Sequence, residues 1–283
     1  GSFLKILKGN LPEPLYQAIL KVNAKYSKGE ADYSVTQLID SPRISMLKQQ
    51  HWDEIEENAE DMIFRFYGQL AHNILAESSD FNVLQEERMF SKIEGKVISG
   101  CPDWFDGNVI NDYKITSKYS VAHGVKEEWV KQLNVYYYLL VDNGWEPKEL
   151  QIVAICRDAG KDDPKVVILP VEMWDLAQAE AYIRARVNLH EQAKEALPLC
   201  TEEERWYSPM IFAVMKTGNK RAIKLFDLKI EANGYMKLLQ KKEKKLIYID
   251  ERPGESKRCS KYCNVNKFCS QYLSTEKSEE IPF

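Results

Sequence analysis

The sequence predicts a mixed α/β fold, with a central sheet flanked by helices, a helical N-terminal part and a C-terminal lobe that carries clustered cysteines. Three observations lead there. Met89 to Ile98 alternates apolar and polar residues as a strand does. Trp104-Phe105 and Val109-Ile110-Asn111 flank the turn residues Asp106-Gly107-Asn108, the pattern of a hairpin. Glu127 to Asp142 sets Trp129, Leu133, Tyr136, Tyr137 and Leu140 at the spacing of an amphipathic helix.

In chain order, residues 1 to 60 read as helical, with Tyr33-Ser34-Val35-Thr36 and Asp40-Ser41-Pro42 as helix-start and turn signals. Asp61 to Ala76 is a further helix pattern, and Gln85 to Arg88 leads into the alternating segment. After the Glu127 helix, strands are predicted at Leu150 to Cys156 and Val166 to Leu169, joined by a polar turn at Lys161 to Pro164. Pro170 to Ala196 reads as one long helix bounded by Pro198. The expected organisation is a helical region over 1–60, a core over 61–199, an insertion with a cysteine lobe over 200–273, and a loose polar tail over 274–283.

With 283 residues, 44% apolar and 29% charged, the chain has the composition of a soluble globular protein large enough for a sizeable core. The net charge of −4 is not that of a basic DNA-coating protein. No apolar stretch reaches the roughly 18 residues of a membrane span, and no secretory signal is visible, so the expected setting is cytoplasmic.

The segment Pro102 to Lys114, PDWFDGNVINDYK, is the most informative for chemistry. A hairpin there brings Asp103 to Asp112, because neighbouring strands lie about 4.8 Å apart. Lys114, two residues beyond Asp112, points to the same face. Two carboxylates for a hard divalent cation and one ammonium to orient water or stabilise a phosphate suit metal-assisted phosphodiester hydrolysis. Taken alone, Asp-Gly-Asn is an ordinary turn and Asp-x-Lys an ordinary solvated strand face. The flanking elements add His72, on the Asp61 to Ala76 pattern, and Gln132 with Tyr136, four apart on one face of the Glu127 helix.

This ordered set, His72, Gly100-Cys101-Pro102-Asp103, Asp112-Tyr113-Lys114 and Gln132-x-x-x-Tyr136, resembles the PD-(D/E)xK nucleases, and within them the RecB-like and CRISPR-associated exonuclease branch, over about residues 60 to 157. The resemblance implies a restriction-endonuclease-like core. It implies that His72, Asp103, Asp112 and the Tyr113 carbonyl ligate Mg2+ or Mn2+, that Lys114 positions the attacking water, and that Gln132 and Tyr136 face the phosphate or the lysine. An imidazole among the ligands favours Mn2+. The implied activity is that of a deoxyribonuclease, an exonuclease that processes DNA ends in recombination or repair, with DNA as partner and a single-strand annealing or recombination protein as companion. A structure-specific endonuclease and a silent nucleic-acid-binding adaptor are the other readings, and the intact Asp, Asp and Lys set argues against the adaptor. His51, His123 and His190 read as structural or surface groups.

Three cysteines cluster as Cys259-x3-Cys263-x5-Cys269, and Cys200 is the candidate fourth ligand. In the nuclease branch named above, a C-terminal trio and one N-terminal cysteine often hold an iron–sulfur cluster. Here no cysteine precedes His72, and the first spacing is three residues. Either Cys200 replaces the N-terminal ligand of a 4Fe-4S cluster, or the site holds structural zinc. Cys101 and Cys156 read as buried strand thiols. Residues 216 to 245 carry ten Lys or Arg against three acids, which suits either a phosphate-tracking surface or a solvated helix face. Phe212, Phe226, Tyr235 and Tyr248 lie in or beside that run and are candidates for base stacking or for core.

Overall fold

In the computed structural model, the spacing of Trp129, Leu133, Tyr136 and Leu140 produces a helix over Glu127–Asp142 that buries all four side chains. The structure describes residues 4–24, 28–78, 83–84, 87–242 and 246–279, and the chain divides into two units, Gly1–Pro198 and Leu199–Phe283. In the first unit this helix lies at the heart of the core. Leu133, Leu139 and Leu140 join Ile98, Phe105, Ile110, Ile152, Ile183 and Val187 in one apolar cluster.

The predicted hairpin forms. Trp104–Phe105 pairs antiparallel with Val109–Thr116, which pairs parallel with Glu149–Cys156, which pairs antiparallel with Val166–Val171. A parallel pair needs a crossover, and the Glu127–Asp142 helix supplies it. Glu149–Cys156 alternates buried and half-buried positions, whereas the edge strand Val166–Val171 leaves Val166 and Ile168 exposed and tolerates Pro170.

Several expectations need correction. Met89 to Ile98 is not one strand: Met89–Ile93 and Lys96–Gly100 form a second hairpin about Glu94 and Gly95, both at positive φ (50° and 74°). With Tyr33–Ser34 they make a separate three-stranded sheet, so the single central sheet of the prediction is two sheets, of four and three strands. Residues 1–60 are only partly helical. Lys5–Leu7 pairs parallel with Glu56–Asn58 beside a small cluster of Ile19, Ala59, Met62 and Phe66. The helix-start signals hold: Ser34 Oγ accepts from Gln37 N–H, and Ser41 Oγ accepts from Ile44 N–H with Pro42 opening the helix. The long helix begins at Leu176, capped by Asp175, because Pro170 and Val171 still belong to the strand. Glu191 near its end accepts from the Tyr33 hydroxyl at 2.5 Å and pairs with Lys96 at 3.2 Å, tying the helix to the small sheet.

In the second unit, Lys224–Phe226, Ile211–Lys216 and Ile247–Arg252 form an antiparallel sheet with Ile211–Lys216 central. The helix Lys229–Gln240 covers one face, and Phe212, Val214, Ala232 and Ile247 are its core. A polar tail from Ser274 is instead helical to Glu279, and residues 280–283 lie outside the described residues, as do Gln85, Glu86, Lys244 and Lys245. No described helix is long and apolar enough to cross a membrane.

Gly100 ends its strand where only a hydrogen fits. A Cβ there would stand 2.6 Å from Val35 Cγ2 and 2.7 Å from Tyr136 Cε1. Gly100→Ala is therefore expected to lower stability by about 1–3 kcal/mol through overpacking, as read from urea unfolding midpoints. An unchanged midpoint would show that the Tyr136 ring yields freely.

Candidate active site

The hairpin register decides where the carboxylates stand. Trp104 lies opposite Asn111 and Phe105 opposite Ile110, and Asp103, just before these paired residues, stands close enough to Asp112 for its charge to raise that carboxyl. Asp103 is fixed by both oxygens: Oδ2 accepts from Tyr113 N–H at 2.7 Å, and Oδ1 lies 2.9 Å from His72 Nδ1. An extended residue directs its N–H and C=O to the same edge, so the Tyr113 carbonyl leaves the strand on the Asp103 side. The Ile63–Glu77 helix delivers His72, whose ring meets Tyr113 edge to face at 6.5 Å.

Asp112 is almost wholly buried, and its neighbour two residues on, Lys114, shares its face as strand alternation requires. Lys114 Nζ lies 2.6 Å from Asp112 Oδ2 and donates to Gln132 Oε1 at 2.8 Å. Gln132 Nε2 in turn donates to the Tyr136 hydroxyl at 3.3 Å. The Lys114 ammonium is the close partner of Asp112 Oδ2, a buried oxygen, and it lowers the carboxyl against the effect of burial. His72, Asp103, Asp112, Tyr113, Lys114, Gln132 and Tyr136 thus form one continuous chain of contacts.

The electrostatics follow from this crowding. Burial, and then the Asp103 charge, push the Asp112 carboxyl up to about 6. The hydrogen bond to Asp103 raises His72 above the ordinary imidazole value. Burial, reinforced by Asp112 and Asp103, drives the Tyr136 phenol far above its usual range, so it stays protonated. Two neighbouring carboxylates beside an imidazole are a donor set that suits a hard or borderline divalent ion. Among the described residues, no three His, Cys, Asp or Glu side chains already converge into a metal-holding group. In its place each carboxylate holds one internal partner, Lys114 or His72.

The other histidines do structural work. His190 is buried with Nε2 3.0 Å from the Leu38 carbonyl, His51 pairs with Glu54, and His123 lies against the Tyr119 carbonyl. In the second unit Cys200 and Cys269 are buried and Cys259 and Cys263 half-buried, all as thiols rather than disulfides. Burial, with Cys263 and Cys269 alongside, pushes the Cys259 thiol up. Gln271 clamps the Cys200 backbone from both sides, accepting from its N–H at 2.8 Å and donating to its carbonyl at 3.0 Å. Cys156 is a buried strand thiol, while Cys101 is half-buried beside the Pro102 carbonyl. The sequence reading missed the Tyr113 N–H as the anchor of Asp103 and the His72 to Asp103 contact. Neither backbone direction nor helix docking leaves a residue-type signal.

No protein-family profile matches the chain, and no curated protein matches it. Two solved structures are similar over part of it. SSO0001 shares 19% identity at a TM-score of 0.43, covering 62% of this chain and 85% of its own. A supposed exonuclease from Eubacterium rectale shares 15% identity at a TM-score of 0.34, covering 64% of this chain and 74% of its own.

A carboxyl that ionises near 4 when unfolded, but at about 6 when folded, binds more protons in the folded state across that window. Stability of the metal-free protein therefore falls as pH rises from about 4 to about 6. In EDTA, Asp112→Asn should gain on the order of 2 kcal/mol relative to wild type between pH 4 and pH 7, measured by urea unfolding. A difference independent of pH would contradict the burial of a charged Asp112.

Proposed function

We propose that this chain is a divalent-metal-dependent deoxyribonuclease that hydrolyses phosphodiester bonds, working from DNA ends. The observation that carries the reading is the buried Asp112 carboxyl with the Asp103 charge close beside it and a lysine on the same strand face. The preference for ends over internal cleavage rests on the resemblance of the motif set.

Asp103, Asp112, His72 and the Tyr113 carbonyl would hold Mg2+ or Mn2+, which supplies a Lewis acid that polarises the scissile phosphate and acidifies water. The rest of the chemistry belongs to the chain. Once Asp112 is engaged elsewhere, the Lys114 ammonium is released from it while Gln132 Oε1 keeps it in place, ready to orient a water and to offset phosphate charge. Tyr136, held protonated by its burial, fixes the Gln132 amide. His72 keeps Asp103 turned toward Asp112, and the Tyr113 N–H stops it rotating away.

In the second unit Cys259, Cys263 and Cys269, with Cys200, would hold a 4Fe-4S cluster or, alternatively, structural zinc. Support comes from the raised Cys259 thiol, which burial and the two neighbouring thiols produce and which a bound cation would reverse. Four thiolates leave no open coordination position, so this role is structural.

On end-labelled linear DNA with Mn2+, Asp112→Ala should lose at least about 10³ in rate, and Lys114→Gln about 10²–10⁴. Near wild-type cleavage by Asp112→Ala would refute the assignment, and cutting of circular single strands would make the enzyme an endonuclease. For the cysteines, Cys263→Ser should lose bound iron or zinc by elemental analysis and melt several degrees lower. Unchanged metal content and melting would remove the site.

A further inference from the structure

The basic run of the second unit is unused by the site above, and the fold gathers it at one end. Ile211–Lys216 is followed by the turn 217–223, and Ile247 pairs with Lys216, so the segment leading into Ile247 lies at that same end. Thr217 N–H donates to the Leu246 carbonyl at 3.0 Å, joining the two connections. They carry Lys220, Arg221, Lys241 and Lys242, and Lys237 lies in the last turn of the adjoining helix. All five are exposed, and among the described residues none forms an ion pair. Lys229, by contrast, opens the helix at the far end and is paired with Glu251.

A second observation concerns the sheet face turned away from the helix. Phe212 and Val214 pack toward the helix, so Ala213 and Met215 face outward. Met215 lies opposite Tyr248, and Ala213 opposite Leu225. Tyr248 is 41% exposed, Leu225 51% and Ile223 39%, an apolar margin to this face, while Ala213 and Met215 between them are buried. The Arg252 guanidinium lies across this face, 3.8 Å from Met215 Sδ, and neutralises Asp250 at 3.0 Å. Of the four aromatic candidates in the sequence, Phe212, Phe226 and Tyr235 are committed to the helix side, the last two tilted at 49° with centroids 5.4 Å apart and Lys224 over both rings. Tyr248 alone of these four stands on the outer face, and its row is the one nearest the basic end.

We propose that this outer face and its basic end bind a single-stranded polynucleotide, with phosphates at Lys220, Arg221, Lys237, Lys241 and Lys242 and a base stacked on Tyr248. Cations beside an exposed aromatic are the two components of sequence-independent single-strand binding, whereas a duplex offers no free base face. The choice of a polynucleotide over another polyanion rests on the nuclease reading. The surface itself lies in the unit that does not carry Asp103 and Asp112.

The test measures binding of the full chain in EDTA, so that cleavage plays no part. Fluorescence anisotropy with a labelled 20-nucleotide single strand and the matching duplex is followed across salt concentrations. Combined Lys220→Gln, Arg221→Gln, Lys241→Gln and Lys242→Gln should weaken single-strand binding at least tenfold and reduce the slope of log affinity against log salt by about 3. Tyr248→Leu should weaken single-strand binding about tenfold and leave duplex binding unchanged. Lys229→Gln should stay within twofold of wild type. Wild-type protein that binds no single strand, a charge variant that keeps its affinity and slope, or a Tyr248→Leu loss equal on both DNAs would each overturn the proposal. Loss of cleavage in Asp112→Ala with this binding intact would separate the two sites.

Discussion

Everything at the candidate site depends on one electrostatic constraint: a short hairpin brings the Asp103 charge close to Asp112, and burial denies Asp112 the water that would soften the repulsion. The chain answers with two cations from elsewhere. Lys114 comes from two residues along the same strand and His72 from a helix more than thirty residues earlier. Neither fully offsets the burial and repulsion, since the Asp112 carboxyl remains pushed up to about 6. In the proposed function an added cation would displace these internal partners and take up the ligand directions they now occupy.

The surrounding fold keeps that constraint rigid. Gly100 lets the Lys96–Gly100 strand approach the Glu127–Asp142 helix closely enough for Tyr136 to pack against the backbone. Tyr136 then fixes Gln132, and Gln132 fixes Lys114. The apolar cluster that includes Phe105, Ile110, Leu133 and Ile152 anchors the same strands and helix beneath the polar residues. Ile110, Asp112 and Lys114 share one face of their strand and Tyr136 belongs to the apolar cluster, so packing and chemistry meet on the same side of these elements.

Much of this was legible in the sequence because it is local. Strand alternation placed Lys114 beside Asp112, the Asp106-Gly107-Asn108 turn defined the hairpin, and the 3.6-residue period gave the Glu127–Asp142 helix. What stayed hidden depends on short or nonlocal features. The tight turn at Glu94 and Gly95 preserves apparent alternation, so two strands read as one. Three-residue strands such as Lys5–Leu7 are too short to show a period. The sheet of the second unit was obscured by Lys216 and Lys224 at its strand ends, and no residue pattern foretold that Asp103 would be held by His72 and the Tyr113 N–H.

The central claim is that the neighbouring carboxylates form a cation site, and the most direct measurement is anomalous diffraction from crystals soaked in Mn2+. The account predicts one strong peak bounded by His72, Asp103, Asp112 and the Tyr113 carbonyl, with Lys114 drawn away from Asp112. Crystals that show no peak there, with Lys114 still paired to Asp112 at high Mn2+, would contradict it.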